Sequence, residues 1–330
     1  MTARRLGILH CCYVSTLIGL VLGLAVAAPG RPLRAATPVV LDTDIGDDID
    51  DTWALATLLN SPELDIRLVT TTHGKAEYRA KIIAKLLSVA KRTAVPVGLG
   101  EGGHGGTGGQ EPWVRDYRLS DYPGPVRQDG AAALAEVIEH SPQPITVIAI
   151  GPLETVAAVL ERRPELAAKA AFVGMQGSVR KGYGGKQQPD REWNVVANVA
   201  AARRVLSAPW RQIAITPLDT CGLVTLAGER FERLKHSQSP LAQAVLENYR
   251  IWSNKPRLAD LHSSSVLFDT AAIYLAYPGD RPLMKLETLN IAVTPDGFTR
   301  IDPAGRSMSV ATDWTSLDGY RDFLVKTLDK

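Results

Sequence analysis

The sequence predicts an α/β fold with a doubly wound, mostly parallel sheet and helices on both faces. Two observations predict it. Short apolar segments rich in Val and Ile, which are typical of strands buried in parallel sheets, recur along the chain. Segments of helical length separate them as far as residue 216, and this alternation indicates strands joined by helices that cover the sheet.

The predicted elements follow in order along the chain. The strands are residues 39–42, 65–72, 95–98, 145–150, 171–174 and 211–216, and the helices between them are residues 50–59, 77–89, 131–139, 153–161 and 197–206. From about Thr225 the chain predicts helices at 241–249 and 270–275 and short strands near 289–293 and 299–301. No linker, repeat or charge run divides residues 37–330, so we expect one domain there.

Residues 1–36 predict an export signal and a short linker. Arg4 and Arg5 precede the apolar run 17–24, and Ala25-Val26-Ala27 offers a cleavage site of the small-x-small type. The alternative is an uncleaved anchor, because residues 6–28 are nearly long enough to span a bilayer. We expect an exported protein, periplasmic or secreted, that contacts a membrane only if this segment is retained.

Charge and cysteine content exclude several classes of function. A net charge of +2 gives no electrostatic indication of nucleic-acid binding. Cleavage of the signal would remove Cys11 and Cys12 and leave Cys221 as the only cysteine. An intramolecular disulfide is then impossible, and nothing indicates a thiol nucleophile or a zinc site.

The most informative segment runs from Asp42 to Asp51 and carries six carboxylates in ten residues. It follows the first strand and leads into the first helix, and Gly46 allows the chain to bend sharply between them. A helix that begins near Asp48 would direct its positive end at the acids, and a hard cation such as Ca²⁺ would bind them. A solvated, helix-capping loop is the alternative. Acids on both sides of a turn at the carboxyl end of a strand favour the metal.

Four segments, in chain order, resemble the nucleoside hydrolases, the calcium-dependent N-ribohydrolase family. They are residues 42–51, Ile148-Ala149-Ile150-Gly151-Pro152-Leu153, Glu192-Trp193-Asn194 and Ser265-Val266-Leu267-Phe268-Asp269. The resemblance spans essentially the whole chain after residue 37. It implies a nucleoside-hydrolase-like fold, a small-molecule nucleoside or related riboside as substrate, hydrolysis of its N-glycosidic bond and a possible homo-oligomer.

The resemblance also implies a role for each matched residue. Ca²⁺ would be bound by the carboxylates of Asp44, Asp51 and Asp269 and by the backbone carbonyl of Ile150. Asp44 would also be the general base toward a Ca²⁺-bound water, and Asp50 and Asn194 would hold ribose hydroxyls with Glu192 nearby. Asp47 and Asp48 would be additions to the family's turn, and Asp48 could be a further ligand. Helix capping is the structural alternative for Glu192 and Asn194.

The chain departs from the family at the residue before the late Asp. Many members carry there a His that protonates the leaving base, whereas this chain has Phe268, which can only stack on an aromatic leaving group. His104, Tyr183, Lys186 and His262 are possible substitutes. A second departure is Gly74-Lys75, where the family usually has Gly-Asn. The alternatives are therefore a catalytically weak ribose- or nucleoside-binding protein and a hydrolase of a non-nucleoside riboside.

Overall fold

The structure, a computed structural model, describes residues 1–2, 36–102 and 108–330. The predicted export signal and His104 lie outside the described residues. Ala36–Lys330 forms one compact unit. None of its helices is long and apolar enough to cross a membrane.

The strands and helices of the described residues follow one another in a largely alternating order. The strands are β1 (Thr37–Thr43), β2 (Leu64–Thr71), β3 (Val97–Gly98), β4 (Val126–Arg127), β5 (Thr146–Ala149), β6 (Ala171–Gly174), β7 (Gln212–Ile215), β8 (Met284–Val293), β9 (Thr299–Ile301) and β10 (Arg306–Trp314). The helices are α1 (Asp50–Leu59), α2 (Ala76–Val89), α3 (Glu111–Val114), α4 (Gly130–His140), α5 (Glu154–Arg162), α6 (Trp193–Ala197), α7 (Val199–Ser207), α8 (Glu229–Lys235), α9 (Pro240–Trp252), α10 (Thr270–Leu275) and α11 (Leu317–Leu328).

One sheet contains all of these strands in the order β4-β3-β2-β1-β5-β6-β7-β10-β8-β9. In this spatial order, the eight strands from β4 through β7 to β10 are parallel to one another. Strand β8 pairs antiparallel with β10, and β9 pairs antiparallel with β8. Successive side chains of β1 point to opposite faces, so Val39 and Leu41 pack in one core and Val40 in the other. The predicted mostly parallel sheet with helices on both faces is confirmed.

Several predicted boundaries were wrong. The strand expected at 95–98 is only Val97–Gly98, and β4, β10, α8 and α11 were not predicted. The helix expected at 197–206 is two helices, because Asn198 leaves the helical conformation at φ −149° and caps α7 by accepting a hydrogen bond from Ala201 N–H. Helix α1, in contrast, covers Asp50–Leu59, the range that the sequence predicts.

The sheet brings the candidate site residues to one edge. Strands β1 and β5 are neighbours, yet β1 leads to β2 on one side and β5 leads to β6 on the other. This is a topological switch point, where open α/β sheets bind ligands beyond the carboxyl ends of the strands. The acidic segment follows β1 here, Ile150 follows β5 and Met175 follows β6.

Candidate active site

The turn between β1 and α1 has a conformation that depends on Gly46. Its φ is +114°, and a Cβ at this position would lie 2.6 Å from the ring of Tyr78. The Tyr78 hydroxyl donates to the Gly46 carbonyl at 3.0 Å. Thr43, the last residue of β1, donates its hydroxyl to Asp51 and so ties the end of the strand to the first turn of α1. These contacts fold the acidic segment back over the strand end.

Three carboxylates converge where this turn meets the start of α10. Oxygen atoms of Asp50, Asp51 and Asp269 lie within 4.8 Å of one another, and all three residues are buried. The Asp269 N–H donates to Asp50 Oδ2 at 3.3 Å. Burial, and then repulsion from neighbouring carboxylates of the segment and the cluster, raises the pKa of each carboxyl well above its usual value. A bound divalent cation would offset the electrostatic cost of ionising these buried carboxyls, and the all-oxygen donor set fits a hard cation such as Ca²⁺.

The remaining acids of the segment differ in position. Asp44 is 6% exposed and lines the same cavity, although it lies outside the three-carboxylate cluster. Burial raises its pKa to about 6, against the opposing charge of Arg79. Asp48 is exposed at the cavity rim and accepts a hydrogen bond from Ile49 N–H at 2.6 Å. Asp42 does not line the cavity, since its carboxylate is buried inside β1 and accepts from the Thr70 hydroxyl at 2.6 Å.

Arg79, a fully buried residue of α2, lies directly against the acidic turn. Its guanidinium donates to the carbonyls of His73 at 2.6 Å and Ile45 at 3.0 Å, to the Asp44 carbonyl, and to Asp47 Oδ2 at 2.8 Å. Trp252 Nε1 donates to the Asp47 carbonyl at 2.8 Å. Arg79 was not among the predicted site residues, although its position in the sequence carries a signal.

That signal is the position of Arg79 on α2. It stands three and four residues before Ile82 and Ile83, on the apolar stripe of the helix, where an unpaired charge would be costly. An Arg on such a stripe indicates a buried anionic partner.

Glu192 and Asn194 have separate functions in the structure. Glu192 caps α6, because its carboxylate accepts from the N–H groups of Asn194 at 2.7 Å, Val195 at 3.2 Å and Gly177 at 2.9 Å. Burial raises its pKa to about 7 in spite of these bonds. The capping interpretation is therefore correct for Glu192.

Asn194 is not a cap, since it lies within α6. Its side-chain amide donates to the carbonyls of Ile150 and Met175, each at 3.0 Å. No described residue donates to its Oδ1, so this oxygen is available to a ligand hydroxyl. The carbonyl of Ile150 thus has one hydrogen bond and keeps a second lone pair for a cation.

The cavity that these residues share has a volume of about 130 Å³. Its lining combines acids, aromatic rings and an amide, namely Asp44, Asp47, Asp48, Asp50, Asp51, Ile150, Met175, Tyr183, Glu192, Trp193, Asn194, Phe268 and Asp269. The rings of Phe268 and Tyr183 meet edge to face at 6.0 Å. Lys186 is outside this lining and pairs with Asp190 at 3.0 Å, and His262 is exposed elsewhere. The structure therefore brings together the residues predicted to bind metal and substrate, with Asp48 only at the rim. Of the possible substitutes for the missing His, Tyr183 lines the cavity, whereas Lys186 and His262 do not.

The fold and this cavity define an α/β protein with a cluster of buried carboxylates, suited to a divalent cation, at the carboxyl ends of parallel strands. The chain belongs to the inosine-uridine preferring nucleoside hydrolase family, whose family model matches residues 39–322.

Known proteins similar to this chain include two enterobacterial hydrolases. The pyrimidine-specific ribonucleoside hydrolase RihA of Salmonella newport (strain SL254) is 28% identical over 230 residues, which cover 64% of this chain and 70% of RihA. The non-specific ribonucleoside hydrolase RihC of Salmonella agona (strain SL483) is 26% identical over 326 residues, which cover 89% of this chain and 98% of RihC.

Solved structures resemble the fold. The plant nucleoside hydrolase PpNRh1 superposes with a TM-score of 0.72 at 24% identity, covering 89% of this chain and 98% of that one. An inosine-uridine preferring nucleoside hydrolase from Bacillus anthracis has a TM-score of 0.71 at 19% identity, covering 89% and 99%. These structures confirm the predicted fold. The family match and the sequence relatives confirm the predicted class of reaction, hydrolysis of ribonucleoside N-glycosidic bonds.

A methyl group at Gly151 should displace the Asp44 carboxylate. A Cβ there would lie 2.5 Å from Asp44 Oδ1 and 2.9 Å from Asp44 N, so both the side chain and the backbone of Asp44 would have to move. With Asp44 as the general base that the family resemblance implies, we expect Gly151→Ala to lower kcat by ~100-fold, because small displacements of a reacting group are costly. Gly222→Ala is the matched control, since its Cβ would meet only ordinary contacts at 3.8 Å. Equal activity of the two variants would show that Asp44 does not need this close approach.

Proposed function

We propose that the protein hydrolyses the N-glycosidic bond of ribonucleosides in a Ca²⁺-dependent reaction with Asp44 as the general base. One observation carries the proposal: Asp44 lines the same small cavity as the buried cluster of Asp50, Asp51 and Asp269. Such a set of acids serves a reaction in which positive charge develops on a sugar, because carboxylates stabilise an oxocarbenium-like transition state.

The residues that would hold the cation are Asp51, Asp269, Asp44 and the Ile150 carbonyl. Asp50 belongs to the same three-carboxylate cluster, so it is a further candidate ligand besides its expected contact to ribose. Carboxylates and a backbone carbonyl are the ligands that Ca²⁺ prefers, and Mg²⁺ more often keeps several waters. Bound Ca²⁺ would supply positive charge that acidifies water and fixes vicinal hydroxyls.

The protein's own side chains accept the proton of the attacking water and bind the sugar. A pKa of about 6 leaves Asp44 mostly ionised near neutral pH, so its carboxylate can take a proton from the attacking water. The free Oδ1 of Asn194 accepts a hydrogen bond from one ribose hydroxyl, and the Asp50 carboxylate accepts one from the adjacent ribose hydroxyl. The oxygen of the water then bonds to C1′, and the electron pair of the C1′–N bond leaves with the base.

We also propose that the chain is exported. The support is the sequence pattern of residues 1–36: paired Arg residues, an apolar run and the Ala25-Val26-Ala27 cleavage site.

Removal of the metal should abolish activity and destabilise the protein in a pH-dependent way. The raised pKa values mean that the ion-free folded protein holds protons that the unfolded chain releases near pH 4. Its stability should therefore fall as pH rises from about 4 through about 6. Ca²⁺ displaces these protons, so it should raise the melting temperature more at pH 7.5 than at pH 5.

Melting curves with chelator and with Ca²⁺ at both pH values measure this difference. Asp269→Asn should behave at pH 7.5 like the chelated protein, with little response to added Ca²⁺. Asp260→Asn is a control, since Asp260 is paired with Arg257 outside the cavity. Full activity after exhaustive chelation would refute the metal dependence.

Phe268 should contribute to binding of aromatic leaving groups more than to stability. It is half-buried, so Phe268→Ala should cost less than the ~3 kcal/mol of a fully buried Phe. We expect KM for nucleosides to rise in Phe268→Ala, and kcat for poor leaving groups to rise in Phe268→His by up to ~100-fold. Melting curves beside kinetics separate the two effects. A large loss of stability with unchanged relative rates would make Phe268 a core residue only.

Export should be visible in the mature protein. Expression of the full chain in a Gram-negative host should place the protein in the periplasm or medium, with an N-terminus just after Ala27. A variant that begins at residue 37 should stay in the cytoplasm with the same specific activity. Full-length protein with Met1 retained in the cytoplasmic fraction would contradict export and cleavage.

A further inference from the structure

Departure of a nucleobase is helped by a hydrogen-bond donor, which Phe268 cannot supply. The base leaves with the electron pair of the C1′–N bond, and a hydrogen-bond donor beside it stabilises the negative charge that develops. A phenyl ring has no such donor. Asp, Glu and Met side chains and the Ile150 backbone make up most of the remaining lining. The Asp carboxylates would bind the cation, and both Glu192 oxygens already accept from backbone N–H groups, so these acids are acceptors here.

Three lining side chains carry neutral N–H or O–H groups: Asn194, Trp193 and Tyr183. Asn194 already uses its amide to bind the Ile150 and Met175 carbonyls. Trp193 is 55% exposed, against 36% for Tyr183, so its indole N–H faces more competition from water. Tyr183 carries the one hydroxyl of this lining, and its ring packs against Phe268.

The Tyr183 hydroxyl is held with its proton unused. Its oxygen accepts a hydrogen bond from Trp193 N–H at 3.0 Å, and no acceptor for its own proton exists among the described residues. The segment around it is fixed, because Tyr183 N–H donates to Asp190 Oδ2 at 2.9 Å and Gly182 N–H donates to the Lys186 carbonyl at 3.0 Å. Such a preorganised donor costs little reorganisation when charge develops.

We propose that Tyr183 is the catalytic residue that donates a hydrogen bond to the departing base, at a ring-nitrogen or carbonyl acceptor. The inference rests on the proposed function. As the C1′–N bond breaks, its electron pair goes to the base, the attacking water bonds to C1′ and one of its protons goes to Asp44. Tyr183 keeps its proton throughout, and the free base takes a proton from solvent. Substrates whose bases carry an acceptor beside the glycosidic nitrogen, such as uridine and inosine, are the class this donor serves.

Electrostatics support a donor that does not ionise. Burial, and then the negative charge of Glu192, raises the pKa of Tyr183 well above its usual value. The hydroxyl therefore keeps its proton near neutral pH.

Tyr183→Phe tests the inference, because it keeps the ring and the contact to Phe268 and removes only the hydroxyl. We expect kcat/KM for uridine and inosine to fall about 10- to 100-fold, as for a lost hydrogen bond to a charged group. Hydrolysis of p-nitrophenyl riboside should change less than about threefold, because its stable anion needs no donor. Tyr117→Phe is the matched control, with a hydroxyl 3.4 Å from Ser88 and outside the cavity.

Three outcomes would overturn the assignment. Unchanged nucleoside rates would leave the hydroxyl without a role. An equal loss on both substrate types would indicate that it supports the Trp193 backbone or the sugar. A loss that vanishes with 5′-deoxyuridine would place the hydrogen bond on the 5′-hydroxyl.

Failure of the proposed function has a different signature. Wild-type protein that turns over neither nucleosides nor p-nitrophenyl riboside with Ca²⁺ present would refute hydrolysis itself. Restoration of nucleoside turnover in Tyr183→Phe by a second change, Phe268→His, would support the donor role, because a His beside Asp269 supplies a replacement donor.

Discussion

The repulsion among buried carboxylates is the constraint on which the site depends. Asp50, Asp51 and Asp269 lie within 4.8 Å of one another, with Asp44 in the same cavity. Burial of such a cluster without compensation would destabilise the fold, and each pKa is raised accordingly. A cation that binds there relieves the repulsion and also supplies the chemistry. In the proposed function, stability and catalysis therefore depend on the same ion.

The protein supports this cluster with charges and dipoles of its own. Arg79 lies fully buried against the acidic turn and pairs with Asp47, which gives the turn one permanent positive charge. The first turn of α1 contains Asp50 and Asp51, so the positive end of that helix dipole lies at the cluster. Arg79 and Trp252 both donate hydrogen bonds to the turn, and these bonds form without a ligand. The turn is thereby held in place before the cation or substrate arrives.

Much of the fold and of the acidic site could be predicted because the relevant signals are local. Strands such as β1 and β5 are apolar and short, and the acids of the turn lie within ten residues of one another. The position of β10 could not be predicted, since it enters the sheet between β7 and β8 although β8 precedes it in sequence. The assignment of capping to Glu192 rather than to Asn194, and the free proton of Tyr183, depend on hydrogen-bond partners that only the folded chain brings together. The positions of the site residues along the chain were enough to identify them, and the structure was needed to distinguish their individual functions.

Proton release on Ca²⁺ binding tests the central claim most directly. Isothermal titration of the metal-free protein with Ca²⁺ at pH 6, in two buffers of different ionisation enthalpy, gives the number of protons released per ion. If the ion binds the buried carboxylates, release should be substantial at pH 6, decline toward pH 8 and nearly disappear in Asp269→Asn together with binding. Tight binding without proton release at pH 6, or binding that Asp269→Asn leaves intact, would contradict a cation site built from these acids.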